Sequence, residues 1–194
     1  MEIVARSLNS LLPRSLFTRH FVALNRLSRR FRGWKVEPGM GFREPMKWWG
    51  DGKERATPHE GLDFLRFVDD AAVKHSLDPA ALFPPFFAGD VVGIFPDFLG
   101  ESILFRHDVV IDAGLRLYSV FAHTVPVDGI AAGVAIQEGR PVARLVNPGE
   151  GSLVPPHLHV SLMWISQENE GIALDWGGIC SSHEISLVDP LEVI

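Results

Sequence analysis

Short apolar runs separated by turn residues extend through most of this chain of 194 residues, and they limit what it can fold into. The runs are rich in Val, Ile, Leu and Phe, which favour strands, and Gly- and Pro-containing turns separate them. Six runs have the length and composition of strands: 62–68, 90–95, 103–111, 115–122, 141–146 and 158–165. The chain has 18 glycines and 14 prolines, many of them in the turns between these runs, and the sequence therefore predicts a mainly β fold.

Two stretches within this pattern carry their own predictions. Residues 112–114 lie between two long runs and have the Asp-Ala-Gly composition of a hairpin loop. Residues 70–77 match a strand less well, and we interpret them as a candidate short helix.

The N-terminal part of the chain has a different pattern. Over residues 15–31, apolar side chains recur mostly at three- and four-residue spacings with arginines between them, which predicts a basic amphipathic helix. The apolar positions are Leu16, Phe17, Phe21, Leu24, Leu27 and Phe31. Residues 34–58 contain many turn residues and predict irregular chain, in which we interpret the pair Trp48 and Trp49 as packing residues. We therefore expect a helix and connector over residues 1–50 and a β domain over residues 51–194.

Charge is unevenly divided between these parts. Residues 1–55 hold 12 Lys and Arg against 5 Asp and Glu, whereas the remainder holds 6 against 19. The helix could be docked on the domain with a solvated basic rim, or it could contact an anionic lipid or other polyanion through residues 15–32. Both interpretations stay open at the level of the sequence. We find neither a transmembrane run nor the uninterrupted apolar stretch of a secretory signal in this sequence.

Histidines and one aspartate form the most informative chemical pattern. His59 and Asp63 are four residues apart, His123 ends an apolar run, and His157 and His159 alternate along another. Alternate residues of a strand share a face, so the last two imidazoles should project the same way. A catalytic zinc commonly takes three imidazole or carboxylate ligands and keeps one open position. His59, Asp63 and one histidine of the pair would complete that set.

The order of these motifs resembles that of the lysostaphin/LytM-type zinc metalloendopeptidases, which have a duplicated hybrid motif fold. Their sequences carry His-x-x-x-Asp, then a Tyr-Ala-His-like strand end, then His-x-His, and the order and rough spacing agree from about Asp51 to Ile165. The resemblance implies a mainly antiparallel β core with the site in a groove formed by the sheet and its loops.

Roles for individual residues follow from the same resemblance. It implies that one Zn²⁺ is bound by His59, Asp63 and His159, and that His157 and His123 lie beside the open position as catalytic residues. We expect His157 to act as general base and His123 to stabilise the oxyanion or orient the water, although the two roles could be exchanged.

The resemblance also implies a peptide substrate, in peptidoglycan stem or bridge peptides, and a place in the cell envelope or periplasm. We expect no nucleic-acid partner. The alternative function is a non-cleaving LytM-like module that binds or activates an envelope hydrolase. Retention of all five motif positions favours catalysis, because modules of that kind typically lose metal ligands.

Overall fold

Strands dominate this computed structural model, which describes residues 12–111, 114–149, 152–169 and 175–194. In chain order the elements are α1 (Phe17–Leu24), β1 (Gly33–Lys35), β2 (Leu62–Phe64), β3 (Arg66–Val68), β4 (Lys74–Ser76), β5 (Leu82–Phe83), β6 (Gly89–Pro96), β7 (Glu101–Ile111), β8 (Leu115–Pro126), β9 (Ala135–Ile136), β10 (Ala143–Leu145), β11 (Leu158–Ser166), α2 (Trp176–Ser181) and β12 (Ile185–Val188). Short 3-10 helices cover Gln167–Asn169 and Pro190–Glu192. The prediction of a mainly β chain with an N-terminal helix is confirmed.

A nine-stranded antiparallel sheet forms the centre of the molecule. Its main path runs β12–β11–β8–β7–β6–β9. β12 and β2 pair with different halves of the same edge of β11, and β10 pairs with both β8 and β5. β7 and β8 pair antiparallel up to Ile111 and Leu115, as expected for the predicted hairpin. Residues 112 and 113 of the predicted loop lie outside the described residues.

Both faces of the central strands are covered, which explains their nearly continuous apolar sequence. Every residue of β11 except the last is buried. On β8, Leu117 and Phe121 enter the larger core, together with α1. The alternate residues Tyr118 and Val120 enter a second, smaller core. The large sheet is therefore a rigid support for residues at the ends of β8 and β11.

The N-terminal helix is shorter than the sequence predicts. The expected helix covers residues 15–31, but α1 ends at Leu24. The side chain of Asn25 exchanges two hydrogen bonds with the backbone of Leu82, and Arg26 has a φ of 57°, outside the helical range. The prediction is therefore wrong for its second half, because tertiary contacts of Asn25 replace the next helical turn.

Packing of α1 agrees with a helix docked on the β domain. Phe17 and Phe21 are fully buried, and their rings stack on Phe86 and Phe83 with centroid distances of 4.5 and 5.1 Å. Arg19 lies on the exposed side of the helix. Contact of this basic side with an anionic surface stays a prediction.

The short helix suggested for residues 70–77 is wrong. Lys74–Ser76 forms β4, which pairs antiparallel with β3. The carboxylate of Asp69 accepts hydrogen bonds from the N–H groups of Ala71 and Val73, and such local bonds favour a turn over a helix. The segment therefore becomes a hairpin.

The run at residues 62–68 also differs from a single strand. It divides at Leu65 into β2, which joins the large sheet, and β3, which belongs to a separate three-stranded sheet of order β1–β3–β4. This division leaves β2 beside β11. Within the described residues, no helix has the length and apolar character required to span a membrane.

Candidate active site

Strand register brings the motif residues together. Asp63 in β2 is paired with His159 in β11, and His159 is paired on its other side with Ala122 in β8. His123 follows Ala122 directly, and His157 precedes β11 by one residue. Residues about 100 positions apart in the sequence therefore converge through the hydrogen-bonded pairing of β2, β11 and β8.

Three side chains present their ligand atoms to a common point. His159 Nδ1 lies 2.8 Å from Asp63 Oδ1 and 3.2 Å from His59 Nε2, and the remaining separation, from His59 Nε2 to Asp63 Oδ1, is 3.5 Å. All three residues are buried. Ligands at 2.0–2.2 Å around a tetrahedral zinc are roughly 3.4 Å apart, so this set could hold a metal ion with little movement.

The remaining nitrogens of the two histidines have their own partners. His59 Nδ1 donates to the carbonyl oxygen of Gly41 at 2.9 Å, so its Nε2 carries the lone pair that a metal requires. His159 Nε2 lies 3.0 Å from Ser161 Oγ, which can accept its proton when Nδ1 is the ligand atom. These outer contacts orient both rings toward the common point.

Trp48 forms a hydrogen bond to Asp63, the third candidate ligand. Its indole Nε1 donates to Asp63 Oδ2 at 2.5 Å, which leaves Oδ1 toward the histidines. Burial would raise the pKa of Asp63, but hydrogen bonds and electrostatic attraction from His159 and His59 hold that pKa well below its usual range. The sequence interpretation of Trp48 as a packing residue was incomplete, because it gave no sign of this hydrogen bond.

Gly61 permits the loop that carries His59 to approach the sheet closely. A Cβ atom at this position would lie 2.2 Å from the carbonyl oxygen of Val160 and 2.9 Å from the ring of His159. Neither contact is sterically possible without movement of β11 or of the loop. Absence of a side chain at position 61 is therefore required for His59 and Asp63 to meet His159.

His157 lies beside the three candidate ligands. Its Nδ1 donates to the carbonyl oxygen of Pro155 at 2.9 Å, and its Nε2 lies 4.0 Å from Asp63 Oδ1. Burial lowers the pKa of His157 to about 4, and attraction to the Asp63 carboxylate only partly opposes this. The ring is therefore neutral at pH 7, and its lone pair is on the Nε2 side.

His123, near the C-terminal end of β8, completes the group. Its ring centroid is 4.8 Å from that of His157 and 6.1 Å from that of His159. Its Nδ1 donates to Asp97 Oδ1 at 3.1 Å, and its backbone N–H donates to Asp97 Oδ2 at 2.9 Å. Asp97 was not identified from the sequence, in which it is one aspartate of a loop with no motif around it.

A cavity of about 290 Å³ lies over this group. It has a mixed lining of aromatic, charged and candidate catalytic side chains. The lining residues are Trp49, Arg55, His59, Glu60, Asp63, Asp97, Phe98, His123, His159 and Trp176. Phe98 is 66% exposed and its ring is 4.5 Å from that of His123, so an aromatic side chain stands at the mouth of the cavity.

Two other histidines have partners away from this group. His107 is fully buried, with its Nδ1 on the carbonyl oxygen of Phe87 and its Nε2 on Ser119 Oγ. His75 lies on β4 and contacts Asp69. Neither side chain belongs to the candidate site.

No protein-family model matches this chain, and no curated protein is significantly similar to it. Solved structures are similar. One is the solution structure of lysostaphin, with a TM-score of 0.43 and 16% identity over 84% of this chain and 48% of that one. A second is LytU, with a TM-score of 0.45 and 21% identity over 69% of this chain and 76% of that one. A third is Csd3 of Helicobacter pylori, with a TM-score of 0.42 and 16% identity over 82% of this chain and 36% of that one.

This chain thus spans about half of the lysostaphin chain and about a third of the Csd3 chain. All three TM-scores are below 0.5 and all three identities are below 25%. Any assignment of chemistry therefore depends on the side chains of the site, whose types and order resemble those of the lysostaphin/LytM-type peptidases.

Proposed function

We propose that this chain is a zinc-dependent endopeptidase of the lysostaphin/LytM type, which hydrolyses peptide bonds in peptidoglycan stem or bridge peptides. One observation carries the proposal: three ligand atoms, from His59, Asp63 and His159, lie within 4.8 Å of one another beneath a cavity. Two further histidines adjoin them, which a purely structural metal site would not require. The choice of peptidoglycan rests on the motif resemblance.

The residues fit a zinc ion by their chemistry. Two imidazole nitrogens and one carboxylate oxygen are ordinary zinc ligands, and each has an outer hydrogen bond that orients it. Zinc bound there would polarise the scissile carbonyl and make a water molecule more acidic. The cavity gives the substrate access to the same point.

His157 is the proposed general base. Its Nδ1 proton is engaged by Pro155, and its neutral Nε2 faces the candidate ligands. A neutral imidazole with a free lone pair can accept the proton of the attacking water and later deliver it to the leaving amine. Such a step commonly contributes about 10²- to 10⁴-fold to the rate.

His123 is proposed to orient the attacking water. Its Nδ1 proton is directed to Asp97, so the ring reaches the cavity with its other nitrogen. With the proton on Nδ1, the lone pair of Nε2 can accept a hydrogen bond from the attacking water and so orient it for attack. This division of roles gives each histidine a different task.

Cleavage of purified peptidoglycan tests the proposal. The zinc-loaded protein should release soluble peptides whose masses identify the broken bond, a chelator should stop the release, and added zinc should restore it. An Asp63→Asn variant should release nothing, whereas an Asp69→Asn variant, changed in the β3–β4 hairpin, should behave as wild type. Binding to peptidoglycan without cleavage by the zinc-loaded protein would instead support the non-cleaving module.

A further inference from the structure

Asp97 lies between β6 and β7, and its carboxylate accepts five hydrogen bonds. Oδ1 accepts from the N–H groups of Leu99 and Gly100, both at 2.8 Å, and from His123 Nδ1 at 3.1 Å. Oδ2 accepts from Ser102 Oγ at 2.8 Å and from the N–H of His123 at 2.9 Å. Both oxygens are thus acceptors only, as an ionised carboxylate requires.

His123 has a backbone conformation that needs such support. Its φ is 62°, in the left-handed region that residues other than glycine rarely adopt. Asp97 binds its N–H, and the N–H of Val146 donates to its carbonyl oxygen at 3.0 Å. Asp97 therefore holds both the backbone and the ring of the same histidine. Non-glycine residues in this region concentrate at functional sites.

Ser102 links Asp97 to Trp176, which also lines the cavity. Trp176 Nε1 donates to Ser102 Oγ at 3.0 Å, so the hydroxyl proton of Ser102 is directed to Asp97 Oδ2. The Trp176 ring also packs against the ring of His159, with a centroid distance of 5.4 Å. The position of Asp97 is thus fixed from α2 as well as from its own loop.

We infer that Asp97 is a positioning residue, which holds His123 in the tautomer with its proton on Nδ1 and directs Nε2 into the cavity. The catalytic consequence of this role rests on the proposed function, but the tautomer does not. An asparagine at position 97 would not replace the carboxylate, because either orientation of its amide places an NH₂ group against backbone N–H donors. The resulting repulsion would release the ring of His123.

The test compares zinc-loaded wild-type protein with Asp97→Asn. Correlation of ring protons with ring nitrogens by NMR reports which nitrogen of His123 is protonated. We expect the Nδ1–H form in the wild type and a loss of that form in the variant. On a cleaved peptide, kcat should fall on the order of 10²-fold or more, with KM changed less than threefold, because the histidine acts on the reacting atoms and not on substrate affinity.

Asp69→Asn is the matched control. Asp69 also accepts hydrogen bonds from two backbone N–H groups and contacts a histidine, His75, but it lies in the β3–β4 hairpin. Its substitution should leave kcat and the tautomer of His123 unchanged. An equal loss of activity in both variants would indicate general destabilisation and would overturn the inference.

Other outcomes are also decisive. An Nε2–H tautomer of His123 in the wild type would overturn the inference without any variant, and so the test survives if Asp97→Asn fails to fold. Unchanged kcat and tautomer in a folded Asp97→Asn variant would overturn it as well. If the wild type cleaves no peptide, the proposed function fails, while the tautomer measurement still decides the role of Asp97.

Discussion

His159 lies directly across a strand pair from Asp63, and its Nδ1 is 2.8 Å from the carboxylate Oδ1. Because β2 and β11 are held in register by backbone hydrogen bonds, the separation of these two groups is set by the sheet and not by flexible loops. His59 then approaches from a turn that Gly61 allows to pass close to β11. Several measurable consequences follow from this arrangement.

Trp48→Phe should weaken zinc binding about 10- to 100-fold, because it removes the hydrogen bond that holds Asp63 Oδ2. Competition with a chelating dye measures the change. Trp49→Phe is the matched control, since the Trp49 ring lies over Lys47 and near Phe98 and should not alter zinc affinity. Equal zinc affinities for wild type and Trp48→Phe would show that the indole does not orient the ligand.

Gly61→Ala should destabilise the fold by about 1–3 kcal/mol and reduce zinc content, because its Cβ would overlap the Val160 carbonyl oxygen. Urea denaturation and elemental analysis measure the two effects. Gly33→Ala in β1, where an added Cβ meets no atom within 4 Å, should have neither. A Gly61→Ala protein with full stability and full zinc content would contradict the close approach.

His157→Ala should lower kcat about 10²- to 10⁴-fold while one zinc per chain is retained, because a general base is lost and no ligand is removed. Peptide cleavage and elemental analysis of the same preparation check this. His75→Ala should keep the wild-type rate. If the zinc-loaded His157→Ala protein cleaves at the wild-type rate, the base must be assigned elsewhere.

His107 should make stability depend on pH. Burial lowers the pKa of His107 to about 4, below the 6.5 of an ordinary histidine, although hydrogen bonds to the backbone oppose the shift. As pH falls, the unfolded chain binds this proton first, so the contribution is fully present above pH 6.5 and is lost between pH 6.5 and 4. The total loss is about 3 kcal/mol.

Urea denaturation at several pH values, with wild type and His107→Gln side by side, isolates this contribution. The free energy of unfolding of the variant should fall less steeply between pH 6.5 and 4. Parallel curves for the two proteins over that interval would rule out a buried neutral His107 as the cause.

The basic side of α1 is predicted to contact an anionic surface. Deletion of the helix cannot test this, because its residues Phe17 and Phe21 belong to the core. Exchange for glutamine of the exposed Arg19 on α1, and of the exposed Arg26 and Arg29 that follow the helix, should preserve the fold and abolish any affinity for anionic vesicles. Vesicle flotation measures this affinity. Vesicle binding that survives the triple exchange would exclude this surface.

The sequence predicted most of the longer strands and singled out the histidines and the aspartate of the candidate site, because both depend on local patterns, whereas the full ligand set was implied by the motif resemblance. The alternating pattern of residues 157–160 predicts that His157 and His159 project to the same side of the chain. The β strands were found for the same reason. Their pairing order could not be derived from the residues alone, because it depends on contacts between distant segments.

Contacts of single side chains over long sequence distances account for the residues and boundaries that the sequence did not predict. Asn25 ends α1 by binding the backbone of Leu82, 57 positions away. Asp97 reaches His123 across 26 positions, and neither aspartate nor loop carries a recognisable pattern. Trp48 has an aromatic neighbour that suggests packing, and only the fold shows that its N–H meets Asp63.

The central claim is that His59, Asp63 and His159 together bind one catalytic metal ion. Elemental analysis of protein produced without a histidine tag, alongside His59→Ala, Asp63→Ala and His159→Ala, tests it most directly, with His75→Ala as control. We predict one zinc per chain in the wild type and the control, and loss of zinc in all three variants. Failure of the wild type to bind zinc even after reconstitution, or full zinc content in any of the three variants, would contradict the claim.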